Sequence, residues 1–122
     1  MSDFNFNWKG KRVLITGHTG FKGPWLCLWM QLLSVQVHGY ARVPPTRPNL
    51  HELTGAAADM ESIIGDIRDL DLLQATFDRV QPEIVFHLAA QPIVQIAYED
   101  PVETFSTNMM GTVNVLECAR RT

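Results

Sequence analysis

Three glycines in the segment 16–23 have a spacing that suits phosphate binding. Gly17, Gly20 and Gly23 lie three residues apart in the sequence Thr-Gly-His-Thr-Gly-Phe-Lys-Gly, a G-x-x-G-x-x-G pattern that differs from the commoner G-x-G-x-x-G form. A tight strand-to-helix turn needs glycine, and a dinucleotide pyrophosphate must approach the backbone closely. The N–H groups at the start of the helix then attract the phosphates. The segment predicts a phosphate-binding loop, although three glycines this close could also form a purely structural turn.

A second group of candidate residues follows an apolar run further along the chain. Leu88, Ala89, Ala90 and Gln91 would stand at the carboxyl end of a buried strand. Small side chains there would let the ribose and nicotinamide of a cofactor lie close to the backbone. Ordinary tight packing would also select alanine, and for His87 a core role is favoured over a functional one.

The elements that would position these residues alternate between strand and helix patterns. Residues 12–16 and 36–41 are apolar runs that predict strands 1 and 2, and weaker runs at 62–65 and 83–88 predict strands 3 and 4. Residues 42–49, with three prolines, predict a loop, and residues 50–60 are ambiguous, with a short helix as one option. Three helical faces are predicted: Trp25, Leu28, Trp29, Leu32 and Leu33; Leu70, Leu73, Phe77 and Val80; and Val102, Phe105, Met109, Val113 and Leu116.

This alternation predicts an α/β fold, a doubly wound parallel sheet of the Rossmann type with strand order 3-2-1-4. Near-continuous apolar strands indicate that helices cover both faces of the sheet. The crevice between strands 1 and 4 would then receive the ligand. Strand 4 would be left as a bare hydrophobic edge, so we expect residues 1–122 to be an incomplete, N-terminal part of a dinucleotide-binding domain.

The amino-acid composition and net charge argue against some classes of binding partner. The 122 residues are 46% hydrophobic and 19% charged with a net charge of −3, which predicts a folded domain and argues against nucleic acid or anionic membranes as partners. Residues 1–11 do not form a signal peptide, and the run 25–30 is too short to cross a bilayer, so we expect a cytoplasmic protein. Cys27 and Cys118 are expected as buried hydrophobes, and the scattered histidines give no metal-ligand spacing.

The loop resembles that of the extended short-chain dehydrogenase/reductases, the NAD-dependent epimerase/dehydratase family, and with His18 and Lys22 it is similar in particular to the CDP-glucose 4,6-dehydratases in that family. The resemblance covers essentially the whole chain and matches the front part of such an enzyme. The supporting stretches are residues 8–11, 45–46, 65–69 (Gly-Asp-Ile-Arg-Asp), 86–92 (Phe-His-Leu-Ala-Ala-Gln-Pro) and 101–112 (Pro-Val-Glu-Thr-Phe-Ser-Thr-Asn-Met-Met-Gly-Thr).

The resemblance implies cofactor contacts at named positions. For the phosphates these are Gly17, His18, Thr19, Gly20, Phe21, Lys22 and Gly23, and for the adenine they are Asp66 and Ile67. For the ribose and nicotinamide they are Leu88, Ala89, Ala90 and Gln91, while Thr107 and Asn108 match the family's pair near the cofactor and the active site. A turn or N-cap role is the alternative for Asp66, although Asp69 suits that role better. A solvent-facing polar stripe is the alternative for Thr107 and Asn108. Tyr98 could contact substrate or be a half-buried loop residue.

Two positions depart from the family pattern. Pro24 replaces an expected serine, so a hydrogen bond in the first turn of the helix would be lost. Arg42 stands just past strand 2, where many NAD enzymes carry an acid for the adenosine ribose, and an arginine there could pair with a 2′-phosphate. The resemblance favours NAD, and NADP stays open.

The resemblance implies an NAD-dependent lyase that converts CDP-glucose to CDP-4-dehydro-6-deoxyglucose, in nucleotide-sugar metabolism such as O-antigen synthesis, and a homodimer when complete. The family's Tyr-x-x-x-Lys pair is missing, since the residues four after Tyr40 and Tyr98 are Pro44 and Val102. No catalytic residue is therefore assigned, and we expect this chain alone to bind cofactor at best. A sugar-nucleotide epimerase or reductase of the same superfamily, and a non-catalytic dinucleotide-binding module, are the alternatives.

Overall fold

The computed structural model describes residues 6–122, so the start of the segment predicted not to be a signal peptide lies outside the described residues. The chain alternates strands with helices throughout. In order the elements are β1 (Arg12–Thr16), α1 (Gly23–Leu32), β2 (Gln36–Ala41), α2 (Leu50–Thr54), a 3₁₀ turn (Ala56–Asp59), β3 (Glu61–Ile64), α3 (Leu70–Val80), β4 (Ile84–His87), α4 (Val94–Glu99), α5 (Pro101–Phe105), a π-helical segment (Ser106–Met110) and α6 (Gly111–Arg121).

The four strands form one parallel sheet in the order β3-β2-β1-β4, which confirms the predicted fold class and strand order. The register sets Thr16, the last residue of β1, opposite Tyr40 of β2 and His87 of β4. The carboxyl ends of these three strands therefore meet at one edge. That edge is where a doubly wound sheet places its ligand crevice.

Alternate residues of β1 pack into two cores on opposite faces of the sheet. Val13 and Ile15 pack with Cys27 and Met30 of α1, while Leu14 packs with Tyr40, Leu73 and Phe77 and with Val115 of α6. All nine of these side chains are buried, because helices cover both faces of the sheet, as the continuous apolar strands predict. Cys27 and Cys118 are buried and free, as expected.

Much of the two predicted apolar helix faces is exposed, although Leu28 and Leu33 of the first face pack partly against the core. Trp25, Trp29 and Leu32 are 58–84% exposed, whereas α1 buries Gly23, Pro24, Cys27 and Met30. The C-terminal face is also exposed: Val102, Phe105, Met109, Val113 and Leu116. The buried side of α6 is formed by Gly111, Val115 and Cys118.

The predicted boundaries hold within a residue or two, with two additions. The ambiguous residues 50–60 form α2 and the 3₁₀ turn, and α4 was not predicted at all. Tyr98 lies in α4 and is 86% exposed, so the half-buried loop position was wrong. Among the described residues, no helix is long and apolar enough to cross a membrane.

Candidate functional site

The glycine loop, residues 17–23, connects β1 to α1, and each of its glycines has a different surrounding. Gly17 has φ +78°, and a Cβ added there would lie 2.6 Å from the Ala89 nitrogen. A Cβ on Gly23 would lie 2.4 Å from the Gly17 carbonyl oxygen, whereas one on Gly20 would meet only that oxygen at 3.4 Å. Gly17 and Gly23 therefore let the backbones pack, and Gly20 keeps the exposed side of the loop open for a close approach by phosphate.

The start of α1 is open in the way an anion site requires. Its N-cap, Lys22, makes no side-chain capping bond, the first turn holds no acidic residue, and Pro24 has no N–H to satisfy. Phe21 and Lys22 are both exposed beside it. A helix start of this kind leaves N–H groups and a partial positive charge beside the glycine loop.

His18 lies in the glycine loop, but its side chain turns away from the exposed side. The ring is fully buried, its Nε2 lies 2.6 Å from the Ser62 Oγ, and it fills the space beside Gly39 where a Cβ would lie 2.4 Å away. The ring also meets that of His51 at a centroid distance of 5.2 Å. Burial, with the charge of His51 second, lowers the pKa of His18 to about 4. Only the backbone of His18 is thus left on the ligand side.

Thr19 ties the glycine loop to the end of β2. Its hydroxyl donates to the Arg42 carbonyl at 2.8 Å, and its side chain is buried. This bond brings Arg42 beside the loop, 23 residues away in sequence.

Arg42 and Asp66 border a shallow groove of about 370 Å³, lined also by Val43, Ile64 and Gly65. The Arg42 Nη1 lies 3.0 Å from Glu103 Oε1, and its Nε lies 3.9 Å from Asp66 Oδ2. Asp66 accepts a two-pronged bond from Arg68, at 3.1 Å and 2.7 Å, and this bond is the main reason that its pKa is lowered. Two cations and two carboxylates thus balance at this groove.

Buried partners hold the backbone of residues 65–67 in place. The Tyr40 hydroxyl donates to the Asp66 carbonyl at 2.8 Å, and burial raises the pKa of Tyr40. The Asn114 side chain donates to the Ile67 carbonyl at 2.9 Å, and Ile67 packs beneath Gly111. The rim that bears the adenine candidates is therefore fixed from both β2 and α6.

The loop after β4 packs against the glycine loop across the crevice. The Leu88 N–H donates to the Thr16 carbonyl at 3.0 Å, and the Ala89 N–H donates to the Thr16 hydroxyl at 3.2 Å. Ala90 is exposed next to them. The structure therefore places residues 88–90 at the mouth of the crevice, as the sequence predicts.

Asn108 clamps Gln91 from the π-helical segment. Its side chain accepts from the Gln91 N–H at 2.8 Å and donates to the Gln91 carbonyl at 3.0 Å. The Gln91 side chain is held by Thr104 and by the backbone of Ile93. Neighbouring Thr107 is 8% exposed, and its hydroxyl has no hydrogen-bond partner among residues 6–122. An unpaired buried hydroxyl next to the crevice is a group that a bound ligand could satisfy.

Sequence reasoning missed Ser62, Glu103 and Thr112. Ser62 and Glu103 lie 44 and 61 residues from the partners that they contact, and no local pattern links such pairs. Thr112 lies one helical turn after Asn108 and donates to its carbonyl at 2.6 Å. Its i,i+4 position was the one signal that could have pointed to it.

The chain is similar to proteins that are named as dehydratases and epimerases of nucleotide sugars. The family model for GDP-mannose 4,6-dehydratase matches residues 14–122. The chain is 54% identical, over 99% of its length, to a CDP-glucose 4,6-dehydratase of Salmonella typhimurium, of which it covers 33%. It is 33% identical to a GDP-mannose 4,6-dehydratase of Vibrio cholerae, over 90% of the chain and 31% of that protein. The chain thus spans about a third of the length of the curated relatives that it matches.

Solved structures give the same fold. A UDP-glucose 4-epimerase from Brucella ovis in complex with NAD has a TM-score of 0.79 at 26% identity, with 93% of this chain and 33% of that one covered. The UDP-glucose 4-epimerase of Thermus thermophilus, also a complex with NAD, has a TM-score of 0.79 at 28% identity, with 90% and 34% covered.

Proposed function

This chain belongs to the GDP-mannose 4,6-dehydratase family, and from that premise we propose that it forms the cofactor-binding, N-terminal part of an NAD-dependent dehydratase of CDP-glucose. The observation that carries the substrate is the 54% identity to a CDP-glucose 4,6-dehydratase, against 33% to a GDP-mannose 4,6-dehydratase. His18, Lys22 and Gln91-Pro92, the details that separate the CDP-glucose group from its relatives, support the same choice.

The described residues fit a dinucleotide. Gly20 leaves the loop open where phosphate would approach, and the start of α1 offers its N–H groups to the same place. We assign the loop residues 17–23 to the pyrophosphate, with His18 acting through its backbone. Asp66 and Ile67 are assigned to the adenine, and residues 88–91 with Thr107 and Asn108 to the ribose and nicotinamide.

The charge balance at the adenosine end supports NAD over NADP. Arg42, the candidate partner for a 2′-phosphate, is already paired with Glu103 and lies near Asp66. To bind Arg42, a 2′-phosphate would have to displace these carboxylates or lie close to them. The negative charges of the phosphate and the carboxylates would then repel each other. An uncharged ribose hydroxyl meets no such penalty.

A bound NAD would supply the hydride chemistry of the proposed reaction, oxidation at sugar C4 and reduction at C6 after loss of water across C5 and C6. The described residues bind and orient that cofactor. The sugar-binding and proton-transferring groups, including the family's Tyr-x-x-x-Lys pair, belong to the remainder of the proposed enzyme. In the complete enzyme we propose a homodimer, and its cytoplasmic location stays a prediction.

The experiment that tests the proposal incubates the intact protein and NAD with CDP-glucose, with UDP-glucose and GDP-mannose in parallel. We expect a product from CDP-glucose that is lighter by one water and carries a 4-keto group, identified by mass spectrometry and NMR. An isomer of unchanged mass would instead establish the epimerase alternative, which the epimerase structures with NAD favour. Cofactor binding without any product would leave a non-catalytic module.

A further inference from the structure

Thr16, His87 and Thr112 form a continuous set of hydrogen bonds beneath the crevice, here called the His87 relay. The Thr16 Oγ1 lies 2.6 Å from His87 Nδ1, and His87 Nε2 lies 3.1 Å from the Thr112 Oγ1. At one end the Ala89 N–H donates to the Thr16 hydroxyl at 3.2 Å. At the other the Thr112 hydroxyl donates to the Asn108 carbonyl at 2.6 Å. The relay thus joins β1, β4, the loop after β4 and the C-terminal helix.

The two ends of the relay fix the direction of every bond within it. The Asn108 carbonyl can only accept, so the Thr112 hydrogen is used there and the Thr112 oxygen must accept from His87 Nε2. In a neutral ring with Nε2 protonated, Nδ1 is the acceptor and takes the Thr16 hydroxyl hydrogen. The Thr16 oxygen is then free to accept from the Ala89 N–H. One tautomer of a neutral His87 therefore satisfies every group.

A second proton on His87 would break this order. Nδ1 would become a donor facing Thr16, and the Thr16 hydroxyl hydrogen would lose its acceptor. Burial lowers the pKa of His87, which agrees with a ring held neutral.

We propose that His87 is a positioning residue, which as the neutral Nε2–H tautomer holds the loop after β4 and the turn at Asn108 in the shape that receives the nicotinamide half of the cofactor. The relay acts through two groups that border the crevice. The Ala89 backbone lies where Gly17 allows the two loops to meet, and Asn108 in turn holds Gln91 by two bonds. This inference rests on the proposed NAD site.

Threonine substitutions test the relay without enlarging the core. Thr112→Val keeps the shape of the side chain but leaves the His87 N–H unpaired, whereas Thr112→Ser keeps the hydroxyl. Thr76→Val is the control, because Thr76 is a buried helical threonine whose hydroxyl donates only to Leu72 of its own helix, α3. The intact protein and its variants are titrated with NAD by calorimetry, and unfolding is measured in parallel.

We expect Thr112→Val to weaken NAD binding about three- to tenfold, the effect of one lost hydrogen bond, with Thr112→Ser close to the unchanged protein and Thr76→Val unaffected. Equal affinity in Thr112→Val and Thr76→Val would overturn the positioning role while leaving the proposed function intact. Failure of the unchanged protein to bind NAD would overturn the proposed function itself, and the positioning role with it.

The tautomer supplies an independent readout. Two-bond ¹H–¹⁵N correlation spectra of the intact protein at neutral pH should show His87 protonated at Nε2 only. Thr112→Val should alter the Nε2 signal, and Thr76→Val should not. A ring protonated at Nδ1, or at both nitrogens, would overturn the relay whatever the affinities are.

Discussion

The buried ring of His18 carries a consequence for stability that its place in the glycine loop does not suggest. Its Nε2 is bonded to Ser62, and its Nδ1 has no hydrogen-bond partner among residues 6–122. Adding a proton would place a charge where no water reaches it, which is why the pKa falls to about 4. The unfolded chain has no such restriction and takes up the proton at the ordinary histidine pKa of about 6.5.

We therefore expect the protein to lose stability between pH 7 and pH 5. As the pH is lowered through this window, the unfolded state binds a proton at His18 and the folded state does not. The free energy of unfolding therefore decreases, by about 2 kcal/mol between pH 7 and pH 5. His87, whose pKa is also lowered, acts in the same direction. Urea unfolding at the two pH values measures the loss.

A His18→Gln variant separates this contribution from the others. It removes the titrating group, so its difference between pH 7 and pH 5 should be clearly smaller. In the unchanged protein the NMR signals of the His18 ring should not titrate above pH 5. A loss of the same size in His18→Gln would assign the effect to other groups.

At the scale of single residues, the sequence predicts well which backbone positions require glycine, but it predicts side-chain partners poorly. Glycine spacing alone located the turn, since only glycine tolerates the approach at Gly17 and Gly23. It did not reveal that His18 points inward, because Ser62, its partner, is 44 residues away. Such pairs follow from the register of the sheet, which a single sequence does not specify residue by residue.

The sequence predicted where the helices lie along the chain, but it did not predict which side of each helix is buried. Apolar spacing located α1 and the C-terminal helix, yet Trp29 and Phe105 lie on exposed faces. A periodic pattern shows that apolar residues share a face; it does not show whether this chain or another surface covers that face.

The π-helical segment was not predicted either. Residues 106–110 continue one helix from α5 to α6, and the sequence pattern indicated only a helix. The wider turn is found at Asn108, where both side-chain groups engage the Gln91 backbone. A tertiary contact of this kind leaves no periodic signal in the sequence, and π-helical segments are often found at functional sites.

The glycine loop, as an element, makes a prediction about close packing. Gly17→Ala and Gly55→Ala both place alanine at a positive φ, +78° and +64°, but only at Gly17 would the new Cβ meet backbone, whereas nothing lies within 4 Å at Gly55. We expect about 1 kcal/mol of destabilisation for Gly55→Ala and about 2–4 kcal/mol for Gly17→Ala. Denaturant unfolding measures both.

Gly17→Ala should also weaken NAD binding, because the loop after β4 would have to move. Gly55→Ala lies far from the crevice in sequence and serves as the conformational control. Equal destabilisation by the two substitutions would show that the contact between the loops is not tight.

On the scale of the whole molecule, the topology was predictable because the rules for connecting parallel strands allow only a few arrangements. Parallel strands joined by right-handed crossovers leave little choice once four strands and their connecting helices are located. The helix α4 was missed because residues 94–99 follow the proline-containing crevice loop and form only six residues of helix. Short helices depend on tertiary contacts more than on sequence pattern.

The same topology explains how a cofactor preference can depend on residues far apart in sequence. Arg42 follows β2 and Glu103 lies in α5, and the fold brings their side chains to 3.0 Å from each other. In the proposed NAD site, the pair neutralises a cation that would otherwise attract a 2′-phosphate. This ion pair forms only in the folded chain, and no motif in the sequence indicates it.

Glu103→Gln tests this account of the preference for NAD. Removing one carboxylate 3.0 Å from Arg42 frees the guanidinium, so we expect NADP to bind about three- to tenfold more tightly at low salt, with little change for NAD. Glu99→Gln is the matched control, because Glu99 is exposed and its carboxylate accepts only from Gln95 in α4. Titration of the intact protein and both variants with each cofactor measures the effect. If Glu103→Gln and Glu99→Gln bind NADP equally, the ion pair does not set the preference, and if the unchanged protein already prefers NADP, the proposed cofactor is wrong.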